Sequence, residues 1–493
     1  MDGAASSIAF LSIGMISAFG ALRGLRQLLW PKKSSVSVPD EPKKLRPTAY
    51  LDGLRGFAAL LVFIQHHEQW AHCFSIPIFE GGFGYRGNYY FAAFPWVRML
   101  FTGGHAAVAT FYIISGYVLT WKPLSLIHAG EHLKLFDNLA SAFFRRWFRL
   151  YIPLIVTTFF WITSWHVFNY WNAACEPKAT YREELWNWYN EMKNFSFLFK
   201  DGGMVWVTFN THLWSIPLEM RGSMVVFISC IALARATTKA RLFAELVLMF
   251  YFLYIVDGYY LALFLSGMMQ CELDLLAKKD GWFPGFLRRL EPRKTLLYYL
   301  GLFVALYVAG VPSEKAEVEY LREQPGWYYM SYLTPSAMYD HKWIYLFFSC
   351  NIIMAAIPRI GWLKSFFESR FCQFLGYVSF ALYLVHGPIL ASVGDRVYYA
   401  VGWTRPPNDR HEQVAHWANL FPLPKKGPLG LEIAFLVPNL LVLLPLTLWV
   451  ANTVTRMVDE PAVKFAAWLY KRVQGGGSQE PKPVELAPLM RVE

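Results

Sequence analysis

The sequence predicts an all-α membrane protein, a multi-pass helical bundle of about ten transmembrane helices. Three observations carry that expectation. Apolar residues make up 55% of the 493 and charged residues only 16%, against the ~25% charge usual in soluble chains. The apolar residues fall in long blocks, many near the ~20 residues that cross a bilayer as a helix. Basic residues gather at the ends of those blocks, the positive-inside pattern. The net charge of +11 therefore points to a lipid bilayer as partner and to no nucleic acid.

Residues 1–47 read as a hydrophobic segment followed by a basic linker. Ile8 to Leu22 is apolar and precedes Arg23, Arg26, Lys32 and Lys33. Met1 to Ala5 carries no basic charge, so a signal peptide is disfavoured, and an uncleaved anchor helix or an interfacial helix remains. Spans are expected at 54–72, 101–121, 149–170, 213–234, 242–256, 258–275, 297–311, 341–358, 373–396 and 431–455, within a domain covering 48–461. Asp257-Gly258 marks the tightest turn. Residues 462–493 form a cytosolic tail, Gly-, Pro- and Glu-rich from Gln474 and expected to be disordered.

Loop charges set the topology. With Lys43, Lys44 and Arg46 in the cytosol, counting spans places Arg145, Arg146, Arg149, the Arg235 to Arg241 group, Arg288 to Lys294, Arg359 to Lys364 and Arg456 on the same side. The long loops at 73–100, 171–212, 312–340 and 397–430 fall opposite. No internal repeat is visible, which weighs against a carrier built of repeated halves. Six cysteines show no metal spacing, and no metal is expected. Cys230, Cys271, Cys350 and Cys372 suit packing. Cys73 and Cys175 share the lumenal side, as a disulfide or as two thiols.

Four stretches carry chemistry. In the first, Leu51-Asp52-Gly53-Leu54-Arg55-Gly56 opens a run that reaches His66-His67. Gly53 and Gly56 loosen its start. Arg55 and His66 share one helical face, about 16 Å apart along the axis. An imidazole takes a proton at neutral pH; equally, Arg55 could snorkel to headgroups and His66 bond a neighbouring helix. The second stretch is Phe144 to Pro153, where Arg146 and Arg149 stack on one face. Their forked guanidinium groups suit phosphate oxygens, and also an ordinary positive-inside flank. The third runs from Thr211 through Glu219 to Ser223. Glu219 is an intramembrane carboxylate, either functional or pairing an arginine of another span, and Pro217 should bend its helix. The fourth places Ser379, Tyr383 and His386 on one inward face of an apolar helix.

Together these residues resemble the membrane-bound acyltransferase 3 family. The resemblance rests on Leu51 to Gly56 with His66, on Phe111-Tyr112-Ile113-Ile114-Ser115-Gly116-Tyr117, on Arg146 with Arg149, and on Ser379 through His386. Trp214 to Ser223 resembles the family's fungal branch, some members of which serve secondary metabolism. The resemblance implies transfer of an acyl group, commonly acetyl, from acyl-CoA to a hydroxyl of a small-molecule acceptor. It also implies activity roles for Arg55 and His66, and a role in activity or donor binding for Arg146 and Arg149. The hydrolase-like domain fused to some bacterial members is missing, which weakens a polysaccharide acceptor.

From these expectations a direct transfer follows, since no nucleophile elbow is present. His66 is the general base, Tyr383 or His386 the oxyanion donor, and Glu219 orients a histidine or holds an arginine. The membrane is the endoplasmic reticulum or another endomembrane. The alternatives are a transporter or lipid-binding protein without acyl transfer, or an acyltransferase acting on a lipid or wall polymer.

Overall fold

The computed structural model describes residues 45–72, 78–199, 206–278, 291–404 and 410–474. The anchor expected at 8–22, Cys73 of the suggested disulfide and the tail beyond Gln474 lie outside them. Among the described residues the regular structure is entirely helical. Each of the ten expected spans falls on a helix. In chain order these are α1 (Ala49–Ala71), α2 (Gly104–His128), α3 (His132–Val167), α4 (Tyr181–Phe195), α5 (Ser215–Ala232), α6 (Thr238–Tyr254), α7 (Tyr259–Lys278), α8 (Lys294–Ala309), α9 (Lys342–Ala356), α10 (Gly361–Phe367), α11 (Arg370–Ala400) and α12 (Gly430–Val473). The helix α4 lies in the expected lumenal loop 171–212 and starts on a capping box between Thr180 and Glu183.

Ten membrane crossings are not what these helices show. Among the described residues five are long and apolar enough to cross, namely α3, α5 with the turn before it, α7, α11 and α12. A sixth is counted if α9 and α10, which meet at a bend of 99°, act as one broken span. For α1, α6 and α8 the physical cause is plain. The helices α6 and α8 have only 17 and 16 residues, short of the ~20 a bilayer asks for. The 23-residue α1 is long enough, but its last third reads Gln65-His66-His67-Glu68-Gln69, which lipid would not tolerate unless protein surrounds it. The protein is a multi-pass membrane protein whose central helices are shielded by their neighbours.

That shielding starts with α1, which packs along α11 and α2. Gly53 and Gly56 do not loosen the start of α1; both are helical, Gly53 letting the Phe367 backbone at the end of α10 approach and Gly56 letting α11 approach. A Cβ on Gly56 would overlap the Gly376 backbone, and a Cβ on Gly376 would overlap the Asp52 carbonyl. Removing side chains at both positions brings the two backbones into direct contact. The same device joins α2 to α7, where Gly116 and Gly267 face the opposing carbonyls of Phe264 and Ile113. Pro217 does not bend α5 either. It sits in the first turn, where a missing N–H leaves no bond unmade. A buried ion pair braces α6 to α7, with Arg241 Nε donating to the Glu272 carboxylate at 2.8 Å. The four cysteines Cys230, Cys271, Cys350 and Cys372 are buried among apolar side chains.

Candidate active site

The basic end of the site is built by α1, α3, α5 and α11. Arg55 donates from Nη2 to the Gly376 carbonyl at 3.2 Å and lies 3.4 Å from the Asp52 carboxylate. The glycine contact between α1 and α11 brings that carbonyl within reach. Arg146 and Arg149 occupy one face of α3 yet differ in surroundings. Arg146 is buried and forms an ion pair with Glu219 of α5, while its Nε donates to Ser223 Oγ at 2.9 Å. Ser115 of α2 donates to the same Glu219 oxygen at 2.6 Å. Glu219 therefore holds an arginine from another helix. Arg149 is exposed. A cavity of about 170 Å³ opens here, lined by Arg55, Arg146, Arg149, Glu219, Ser379 and Tyr383 among others.

Deeper along α1 three imidazoles meet. The ring of His66 lies 4.2 Å from that of His212 and 5.3 Å from that of His386, centroid to centroid. His212 and His386 are 5.0 Å apart. In each ring Nδ1 faces an oxygen: Gln69 Oε1 at 3.3 Å for His66, Asn210 Oδ1 at 3.2 Å for His212, and the Leu382 carbonyl at 3.3 Å for His386. Amide and carbonyl oxygens only accept, so each Nδ1 carries a proton, and in the neutral ring Nε2 then keeps its lone pair. One ring nitrogen from each histidine lies within 4.8 Å of the other two. His386 Nε2 is buried without a hydrogen-bond partner. Lone pairs sharing one space are suited to a donor such as a substrate hydroxyl. Among the described residues this is also the one histidine, cysteine or carboxylate group spaced to hold a metal ion.

Tyr383 joins the two ends. It lines the cavity, and its hydroxyl bonds Ser215 Oγ at 2.7 Å and donates to the His212 carbonyl. It thereby pins the turn that presents His212 at the start of α5. That commitment places the Tyr383 hydrogen away from the cavity, and the Nδ1–H of His386 is likewise engaged. Neither of the two expected oxyanion donors offers a free hydrogen in this arrangement. Sequence reasoning selected Arg55, His66, Arg146, Arg149, Glu219, Tyr383 and His386; the fold sets Arg55, Arg146, Arg149, Glu219 and Tyr383 around the cavity and His66 and His386 in the imidazole cluster next to Tyr383. It missed His212, Ser115 and Ser215. The signal for His212 was a histidine immediately before the apolar run of α5.

The profile of the acyltransferase 3 family, described as an acyltransferase domain, matches residues 48–451. The chain belongs to that family. Curated relatives agree. An O-acetyltransferase, PaAT-1 of Phomopsis amygdali, is 29% identical over 383 residues, covering 72% of this chain and 74% of its own. Acyltransferase clz18 of Cochliobolus lunatus is 21% identical over 496 residues, 86% of this chain and 96% of its own. Acyltransferase R4 of a Phoma species is 22% identical over 425 residues, 72% and 86%. No solved structure matches the chain. Within this acyltransferase, the stretches that carried the resemblance all border one site. Arg55 and His66 come from α1, Ser115 from α2, Arg146 from α3, and Ser379 through His386 from α11.

Proposed function

We propose that this acyltransferase transfers an acetyl group from acetyl-CoA to a hydroxyl of a small-molecule acceptor, a secondary metabolite, in an endomembrane such as the endoplasmic reticulum. One observation carries the reading: an arginine-rimmed cavity reaches Tyr383, whose ring lies 5.7 Å from that of His386 in a cluster of three imidazoles. The CoA phosphates rest on Arg149 and Arg55 at the rim, with Arg146 behind them. The pantetheine arm runs along α1, whose length from Arg55 to His66 is about 16 Å.

At the inner end His66 Nε2 accepts the hydroxyl proton as the acceptor oxygen attacks the thioester carbon. The C–O bond forms, the C–S bond breaks, and the proton passes on to the CoA thiolate. His212 and His386 surround the attacking oxygen. Tyr383 stabilises the tetrahedral oxyanion if its hydroxyl turns from the His212 carbonyl to the substrate. Direct transfer needs no acyl-enzyme.

The test uses purified protein, acetyl-CoA and a metabolite extract from a strain lacking the gene, read by mass spectrometry. A metabolite that gains one acetyl unit, and that the parent strain makes, supports the reading and names the acceptor. Acetylated lipid or wall polymer instead would move the acceptor class. No acetylated product, together with no thermal stabilisation by CoA, would favour a carrier or lipid-binding protein and overturn the enzyme mechanism.

A further inference from the structure

Behind His66, on the side away from the arginine rim, lies a buried polar group that the mechanism above leaves unused. Gln69 stands on α1 one turn beyond His66 and offers its Oε1 to His66 Nδ1 at 3.3 Å. Its Nε2 donates to Glu80 Oε1 at 2.6 Å. Gln65, one turn before Gln69, points its own Nε2 at the same Glu80 oxygen at 3.4 Å and accepts the Gly104 N–H at 2.5 Å. Glu80 is 3% exposed. Arg98 holds the segment that carries it, donating to the backbone carbonyls of Glu80 at 2.9 Å and Gly81 at 3.1 Å. Glu80 is thus placed by its backbone and aimed at two amides.

The chemistry of those partners runs in one direction. An ionised carboxylate has only acceptors, so the end of Gln69 facing Glu80 must be its NH2. The end facing His66 is then the amide oxygen, which accepts and cannot donate. His66 Nδ1 must therefore carry the proton, and Nε2 becomes the basic nitrogen. Turning the amide over would set oxygen against carboxylate, and it would force the other tautomer on His66. We propose that Glu80, acting through the Gln69 amide, is a positioning residue that holds His66 in the Nδ1–H tautomer.

The arrangement is sensitive to pH, because a protonated Glu80 donates as well as accepts and no longer dictates which way Gln69 faces. Burial and the neighbouring Glu68 raise the Glu80 carboxyl to about 7, while the Gln69 amide, Lys342 and Arg98 pull it back. The other groups around it are Gln65 and, beyond that amide, His105 at 3.3 Å from Gln65 Nε2. Above neutrality the carboxylate locks the tautomer; below it, both amide orientations become available.

The proposal rests on the reading of His66 as base for its catalytic meaning, but its test does not need turnover. NMR of the full-length protein with isotope-labelled histidine reports the His66 tautomer, assigned by the signal lost in His66→Gln. The wild type should show Nδ1–H at about pH 8 and a mixture by about pH 6, across the range where Glu80 titrates. Glu80→Asp should keep the single tautomer. Glu80→Gln, whose amide can present either end, and Gln69→Leu should show a mixture at both pH values. In the acetyl-transfer assay Glu80→Gln should lower kcat about tenfold, part of the ~10²–10⁴ that a positioned base supplies, and leave the acetyl-CoA KM unchanged. A wild-type His66 protonated on Nε2, or a Glu80→Gln variant with the wild-type tautomer, overturns the proposal. A held tautomer in a protein whose His66→Ala variant still transfers acetyl would instead sink the base assignment alone.

Discussion

Gly56→Ala tests whether the α1–α11 contact sets the geometry of the site. The added Cβ would stand 2.7 Å from the Leu375 Cβ, whereas non-bonded carbons rest at about 3.5–4.0 Å. The helices must part by about 1 Å. The nearer obstacle is the Gly376 backbone, which has no rotamer to change, so the destabilisation should fall at the upper end of the ~1–3 kcal/mol typical of overpacking. His66 and His386 stand on these same two helices, and a displacement of about 1 Å at reacting groups can lower a rate about 10²-fold. The assay pairs thermal stability of the detergent-purified protein with acetyl transfer to metabolite extract. Gly361→Ala is the control, because nothing lies within 4 Å of a Cβ there. It should stay within about 0.5 kcal/mol of wild type. A Gly56→Ala protein as stable and as active as wild type would refute the packing argument.

Other outcomes follow from the site. His66→Ala should abolish acetyl transfer with the protein level unchanged; retained turnover removes its role. Arg149→Ala, which alters an exposed group, should raise the acetyl-CoA KM roughly tenfold, the loss of one charge-assisted bond of about 1.5 kcal/mol, with kcat unchanged. A variant that loses folding instead would make Arg149 a topology signal. Arg241→Leu takes the guanidinium from the buried Glu272 carboxylate and leaves the His128 imidazole at 3.3 Å as its weaker partner, and should destabilise by about 1–3 kcal/mol. Yield and thermal aggregation report it, and a normal melting profile would contradict the brace.

The polar positions inside apolar runs made much of the site legible. Arg55, His66, Glu219 and His386 each sit where lipid would penalise them, so each had to face protein, and each does. Helical spacing correctly put Ser379, Tyr383 and His386 on one face. What spacing could not reveal was partnership across helices. The Arg146 to Glu219 pair joins residues 73 positions apart, and His212 joins His66 only because Tyr383 pins the turn before α5. Gly53 and Gly56 were misread for the same reason, since a glycine looks like slack until the opposing backbone is known. Ten crossings are not shown, because apolar runs alone do not tell what shields the polar ends of a helix such as α1.

The Arg146 to Glu219 pair carries a last consequence. A guanidinium already matched by a carboxylate presents little surplus charge to an arriving nucleotide. The grip on the donor then falls largely to the rim, where water competes and attraction is weak. Under the proposed donor, spent CoA carries the same phosphates and competes for the same rim. A membrane enzyme built this way would feel its own product as a competitor, and its throughput would follow the cell's ratio of acetylated to free CoA.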